Sequence, residues 1–288
     1  MRIDLHCHSS VSDGTRPPAE VMRRARAAGL DVLSLTDHDT QAGYGEARGG
    51  LPPGLTLVPG MELSCRLEGH SVHLLAYRAD PAHPALATQC EAIVASRVER
   101  GVAMVARLRE LGATLSWERV LEIAGGGVIG RPHIARAMAE THVVGSPEAA
   151  FTREWIGTGG RAYIPKYAPD PVTAIGLVSS AGGVTVLAHP AARSRGWTIP
   201  DEAIERLAGA GLAGLEVNHP DHGERERLRL RALARRLGLV VSGGSDDHGS
   251  LTGDRIGCET VAQEDYERLM SLATGPVPVH GPAAADRP

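Results

Sequence analysis

Short apolar runs recur along the chain at strand length: Ile3–His6, Val32–Thr36, Leu55–Met61, Val72–Tyr77, Val184–Ala188, Leu215–Val217 and Leu239–Val241. Most are separated by segments of helical character, such as Pro17–Ala28, where prolines open the helix and Gly29 closes it. Strand, helix, strand repetition predicts a parallel sheet. Within a run the two faces differ. Leu33 and Leu35 suit contact with outer helices, whereas Ser34, Thr36 and finally His38 suit the interior of a barrel.

The alternation stops between Pro81 and Gly183, a span too long for a simple crossover. Ala85–Leu111 reads as one long helix, with Ile93, Val94, Val98, Val102, Val105 and Leu108 at spacings near three and four. Shorter helices are predicted at Trp117–Ile123, Ile134–Glu140 and Pro147–Ile156. This gives an α/β barrel in two parts, residues 1–95 and 169–280, with a small helical cap inserted at 96–168 and a frayed tail at 281–288. The glycines of Ala124-Gly125-Gly126-Gly127 lack a following Gly-Lys-Ser/Thr, so they read as a hinge for the cap and not as a phosphate cradle.

Composition narrows the function classes. The 288 residues are 42% apolar, enough for one large core, and carry a formal net charge of −4. That charge argues against stable binding of double-stranded DNA or of an anionic membrane, both of which need a positive field. No run reaches the length of a membrane span, and no leader pattern precedes the first strand. Cys7, Cys65, Cys90 and Cys258 are scattered without a Cys-x-x-Cys pair, which fits reduced thiols and a cytoplasmic location.

The candidate chemistry lies at the strand ends. His6 and His8 are two apart on one strand, as are Asp246 and His248 near the other end of the chain, so each pair shares a face. His38, Glu62, His73 and His189 also fall at or just past a strand's carboxyl end, the rim where barrel enzymes build their sites. Adding Asp13 gives nine residues, six imidazoles and three carboxylates. Packed into one cleft they would repel or lack partners unless cations held them together. Nitrogen and oxygen donors without thiolate suit Mn²⁺, Fe²⁺ or Zn²⁺, with Mn²⁺ preferred and Mg²⁺ also open.

In order along the chain stand Asp-Leu-His6-Cys-His8-Ser, Ser-Asp13-Gly, Thr-Asp37-His38-Asp, Pro-Gly-Met-Glu62, His73-Leu-Leu, Ala-His189-Pro and Gly-Ser-Asp246-Asp-His248-Gly. With these motifs the chain resembles the PHP (polymerase and histidinol phosphatase) family. It is most similar to the stand-alone phosphoesterases of nucleoside 3′,5′-bisphosphates and short oligoribonucleotides, which carry a comparable insertion with an Arg-Pro-His element, here Gly130-Arg131-Pro132-His133. It departs at Asp247, where the family usually has an aromatic residue, and strand alternation turns that side chain away from the metals.

The resemblance implies a distorted (β/α)7 TIM-like barrel and two or three divalent metals. His6, His8, Glu62 and Asp246 would hold one metal. Glu62 would bridge to a second held by His73 and His189, and Asp13, His38 and His248 would hold a third. Asp13, Glu62 and Asp246 are then the candidate catalytic groups, joined by His219 as a proton donor to the leaving oxygen or a phosphate contact. Asp37 and Asp39 would orient His38. Arg131, His133 and Lys166 are the candidate phosphate-binding groups of the cap.

The activity implied is metal-dependent hydrolysis of nucleotide phosphate monoesters by a metal-activated water, with short single-stranded RNA as an extended substrate. A histidinol-phosphate or other small phosphate-ester phosphatase is the alternative. A metal-stabilised binding module without turnover is the alternative of another class.

Overall fold

The computed structural model describes residues 1–192 and 197–282, so the tail expected at 281–288 lies, from residue 283 on, outside the described residues. Seven strands follow one another in sequence order around a single sheet: β1 (Ile3–Asp4), β2 (Val32–Leu35), β3 (Thr56–Leu67), β4 (His70–Tyr77), β5 (Val184–Leu187), β6 (Gly214–Asn218) and β7 (Val240–Gly243). A short β8 (Val279–His280) pairs with β3 off this path. The ring is drawn shut by backbone contacts between the residues after β1 and those after β7. Leu5 N–H donates to Gly243 O at 3.3 Å, Asp246 N–H to His6 O at 2.8 Å and His8 N–H to Asp247 O at 2.9 Å.

Closure needs a residue without a side chain at the seam. A Cβ at Gly244 would fall 2.5 Å from the His6 backbone nitrogen and against the His6 Cβ. Gly244→Ala is therefore expected to destabilise the fold by about 1–3 kcal/mol, the usual cost of overpacking a close-packed interior. Denaturant melts measure it, and an unchanged midpoint would show that the seam is loose.

The all-parallel expectation fails at β4. Residues 56–77 form a long antiparallel hairpin turned at Glu68 and Gly69, both with positive φ, and β4 also runs antiparallel to β5. A two-residue turn leaves no room for a crossover helix, so β4 must run backwards. Its amino-terminal half, with His73, consequently lies at the rim reached by the carboxyl ends of the other strands. Glu62 and His73 thus sit inside strands, and the hairpin reach of β3 explains why.

Helices α1 (Pro18–Ala27) and α2 (Tyr44–Gly49) cover the outer face of β2, where Leu33 and Leu35 pack on Val21, Met22, Ala25 and Ala47. Helix α6 (Pro171–Ser180) covers β3, β4 and β5, while α8 (Glu224–Leu237) covers β6 and β7 with α7 (Asp201–Gly209) against it, and Met61, Leu63, Cys65, Leu74 and Ala76 share one apolar cluster with Ala174, Ile204 and Leu230. Helix α9 (Gln263–Ser271) brings Leu269 and Met270 onto Ile3, Leu5, Val186 and Val240. Tyr77 is fully buried and donates its hydroxyl to Leu5 O at 2.8 Å, which ties β4 to the chain after β1, three strands away.

The insertion begins with α3 (Pro84–Glu110), a continuous helix of 27 residues. Its first part buries Leu86 and Ile93 in the barrel cluster. Its last part buries Met104, Val105 and Leu108 in a separate apolar cluster with α4 (Trp117–Ala124), α5 (Arg131–Glu140) and Ile156. The helix expected at Pro147–Ile156 is only a three-residue 3-10 turn, Glu148–Ala150. Gly125, at φ +57°, caps α4, and Gly127 lies so close to the Ser10 and Val11 carbonyls that a Cβ would clash. The glycine run thus lets the chain after α4 pack against the first barrel loop, where Val128 N–H donates to Val11 O at 2.8 Å.

Candidate metal centre

All nine predicted ligand residues converge at one rim of the barrel. Three sets of donor atoms each lie within 4.8 Å of one another: His6, His8, Glu62 and Asp246; His8, Asp13, His38 and His248; and His38, Glu62 and His73. The first matches the expected grouping. The second adds His8 to the expected trio, and the third contains His38 where His189 was expected. His189 is nonetheless adjacent, its Nε2 2.8 Å from Glu62 Oε1.

Glu62 is the hub. It is fully buried, and its Oε1 lies 2.6 Å from His73 Nδ1 as well as beside His189. Its Oε2 faces three more imidazoles, at 3.4 Å from His6, 3.2 Å from His8 and 3.1 Å from His38. Yet Glu62 Oε2, His38 Nδ1 and Asp246 Oδ1 are buried and make no hydrogen bond. Buried polar atoms are nearly always satisfied, so three orphans aimed at a common space mark the place of something that accepts electron pairs. A divalent cation fits that demand, and the nitrogen and oxygen donor set fits the metals expected above.

The charge balance points the same way. Burial opposes ionisation of Glu62, but His73, His38 and His6 outweigh it and hold its pKa well below the usual carboxylate range. Asp13 is held down against burial by His38 and His248, and Asp246 by His6 and His248. In return, Asp246 and Glu62 overcome the burial of His8 and lift its pKa to about 10. The carboxylates are thus anionic and demand cationic partners, either protons on the imidazoles or metal ions.

Sequence reasoning missed the residue that sets His6. Glu216, fully buried in β6, places Oε1 2.9 Å from His6 Nδ1 and accepts the His189 backbone N–H on Oε2 at 2.6 Å. A carboxylate behind an imidazole fixes its tautomer and turns the other nitrogen outward, here His6 Nε2 toward Glu62 and Asp246. The only available signal was an acidic residue inside an apolar strand, in Glu216-Val-Asn-His219. Asp37 and Asp39 do not orient His38 as expected. Asp37 accepts from Ser9 N, Ser9 Oγ and Ser12 Oγ, and Asp39 from Ser64 N, Ser64 Oγ and Arg97 Nε. Each carboxylate clamps a loop beside a residue of the cluster.

Asp247 does point away from the cluster and binds Gly249 N, Thr252 Oγ1 and Arg255 N, which pins the turn after His248. His219 lies behind Asp246. It is 1% exposed, takes the Asp221 N–H on Nδ1 at 3.1 Å and so presents its Nε2 proton to Asp246 Oδ2 at 3.3 Å. That geometry orients the Asp246 carboxylate. His133 is likewise spoken for: its Nδ1 accepts the Gly130 N–H at 3.0 Å and its ring bonds the Ser12 backbone, so it caps α5 and does not face the cavity.

A cavity of about 600 Å³ opens over the cluster. Asp13, His38, His73, His189 and His248 form its barrel wall, and Arg97, Arg100, Arg131 and Lys166 line it from the insertion side. Arg131 donates to Ile156 O at 3.2 Å while its guanidinium sits 5.5 Å from the Phe151 ring centre and 5.6 Å from that of Tyr163, a stacked seat that holds the fork in place. Of the predicted phosphate contacts, Arg131 and Lys166 are therefore beside the cluster. Arg97 and Arg100 were not foreseen, because a helix-long charge pattern does not reveal which side faces a cavity.

Comparison with known proteins gives a consistent picture. Residues 4–94 match the PHP domain family. The chain is 32% identical, over 86% of its length and 90% of the relative's, to a 5′-3′ exoribonuclease of Haemophilus influenzae. It is 33% identical, over 88% and 89% respectively, to a 3′,5′-nucleoside bisphosphate phosphatase of Chromobacterium violaceum. A crystal structure from Bifidobacterium adolescentis, assigned as a metal-dependent phosphoesterase, superposes with a TM-score of 0.88 at 33% identity, covering 94% of this chain and 96% of that one.

Proposed function

The chain belongs to the PHP domain family, and from that premise we propose that it is a metal-dependent phosphoesterase that removes phosphate from nucleoside 3′,5′-bisphosphates or the ends of short RNA. The observation that carries the reading is the set of orphaned, buried donor atoms on His38, Glu62 and Asp246, in a cluster whose outer members His38, Asp13 and His248 line a cavity with a cationic opposite wall. His6, His8, Glu62 and Asp246, Glu62 with His73 and His189, and Asp13 with His38 and His248 would hold two or three ions, with manganese the preferred one. Such ions supply an activated water near neutral pH and neutralise charge on the phosphoryl oxygens.

The protein's own groups do the rest. Glu216 holds the His6 ring so that Nε2 is the free donor, and His219 fixes the Asp246 carboxylate. Arg131, seated between Phe151 and Tyr163, offers two parallel N–H groups to phosphate oxygens. The insertion, read as a cap over residues 96–168, closes the cavity on the side away from the barrel and limits water. The four free cysteines fit a reducing cytoplasm, and no helix among the described residues is long and apolar enough to cross a membrane.

Metal removal tests the reading. Protein stripped with chelator and refilled with Mn²⁺ is expected to recover phosphate release from adenosine 3′,5′-bisphosphate, with the stripped form at least about 100-fold slower, since the nucleophile depends on the ion. Stripped protein that keeps full activity would refute the metal role. A preference for histidinol phosphate in the same assay would refute the nucleotide substrate.

A further inference from the structure

We propose that His70 and Trp197 form a stacking platform for the nucleobase of the substrate, at the end of the cavity where β4 begins. The proposal rests on the phosphoesterase reading for the phosphate and adds what selects the rest of the molecule.

The two rings lie nearly parallel, 9° apart with their centroids at 4.1 Å. Trp197 is half-buried against the barrel's apolar cluster, whereas His70 is exposed. Both line the cavity over the metal centre. Among the described residues the His70 ring has no hydrogen bond, so the stack on Trp197 sets its plane.

Two adjacent strands lead from the metal centre to this pair. His70 opens β4 and His73 follows on the same strand, while His189 comes just after β5 and Trp197 further along the same connection. β4 and β5 pair antiparallel, and the His73 and His189 rings meet edge to face at 5.5 Å. At about 3.3 Å per residue, His70 stands about 10 Å along the strand from His73. The ribose of a nucleotide bridges that gap when its phosphate lies over the cluster. Strand alternation sets His70 on the Val72 face and not on the His73 face, and the cavity reaches both, since Ser71, Val72 and His73 all line it.

The other rings at the cavity are taken. His38, His73, His189 and His248 belong to the metal cluster, and Phe151 and Tyr163 carry the Arg131 guanidinium. His70 and Trp197 are the pair left among the described lining residues. Trp197 alone would suffice to cap the apolar cluster, and that role gives no reason for a second flat ring laid over it on the exposed side. An imidazole stacked on an indole carries a flat, polarisable face outward, onto which a base adds as the next layer. Every nucleobase has such a face, and a phosphate ester without a base leaves the platform empty.

The test compares Mn²⁺-loaded wild type, His70→Ala, Trp197→Leu and Trp197→Phe on adenosine 3′,5′-bisphosphate and on the same sugar bisphosphate without adenine. In wild type, loss of adenine is expected to raise KM roughly 5- to 100-fold, the worth of one stacked base. His70→Ala and Trp197→Leu are each expected to raise KM for adenosine bisphosphate at least about fivefold, with kcat and the reaction of the baseless substrate within about threefold of wild type. Trp197→Phe keeps a flat ring and is expected to stay close to wild type, whereas a loss of packing alone would strike Phe and Leu alike. Equal losses on both substrates, or an unchanged KM for adenosine bisphosphate in His70→Ala and Trp197→Leu, would overturn the proposal. Should wild type turn over neither substrate, the phosphoesterase reading fails. Calorimetric binding of adenosine bisphosphate then decides the platform alone: weaker binding to His70→Ala and Trp197→Leu but not to Trp197→Phe upholds it, and equal binding ends it. If Trp197→Leu does not fold, His70→Ala, at an exposed position, carries the same comparison.

Discussion

Glu62→Gln is expected to slow phosphate release by on the order of 100- to 1,000-fold, the range seen when a preorganised polar group at a reacting centre is removed, and to lower the bound metal content in parallel. The change is nearly isosteric, so the effect isolates charge. Wild-type Oε1 is shared by His73 at 2.6 Å and His189 at 2.8 Å, and Oε2 faces His6, His8 and His38 within 3.4 Å. An amide offers one weak acceptor and a donor. Whichever way it flips, an N–H points at a group that needs an electron pair. The site then keeps Asp13 and Asp246 as its remaining anions in the cluster. Elemental analysis of the purified variant beside the rate measurement separates lost metal from misplaced metal. Full metal content with wild-type turnover would show that Glu62 is only a hydrogen-bond acceptor for His73 and His189.

The residues of the cluster were legible in the sequence because strand spacing and strand-end placement are local properties, visible wherever His-x-His or Asp-x-His occurs. The same locality explains the outer faces, where Leu33 and Leu35 pack on α1 as their alternation with Ser34 indicates. What it could not carry depends on direction or on distant partners. Glu68 and Gly69 give a two-residue turn that reverses β4, and no periodicity distinguishes a reversed strand from a parallel one. His133 and His219 look like free imidazoles in a motif, but each spends its nitrogens on Gly130 and Ser12 or on Asp221 and Asp246. Glu216 read as part of a strand, and only the approach of β1 to β6 through the ring shows that it grips His6. Arg97 and Arg100 face the cavity because α3 continues from the barrel into the insertion, a consequence of its trajectory.

That trajectory makes the junction between barrel and insertion the second sensitive point. Arg97→Met is expected to destabilise the protein by about 3–5 kcal/mol, the penalty for stranding one member of a buried ion pair. Arg97 Nε lies 2.7 Å from Asp39 Oδ2, Nη2 donates to Ser64 Oγ at 3.0 Å and Nη1 to Ile129 O at 3.3 Å. One guanidinium thus joins α3, β3 and the segment before α5. Asp39 is fully buried and sits at φ +57°, a conformation its side-chain bonds to Ser64 help to hold. Burial pushes its carboxyl up, but Arg97, with Lys166 behind it, outweighs burial and keeps it below the usual range. A carboxylate depressed in the folded state stabilises above its unfolded pKa of 3.8 and loses that contribution as pH falls further. The gap between wild type and variant should therefore be full at neutral pH and narrow in acid. Arg97→Met/Asp39→Asn removes the stranded charge and is expected to recover part of the loss, whereas purely additive single changes in denaturant melts would show that the two residues act separately. Because His38 precedes Asp39 in the chain, Arg97→Met should also weaken metal uptake, which a titration reads without any substrate present.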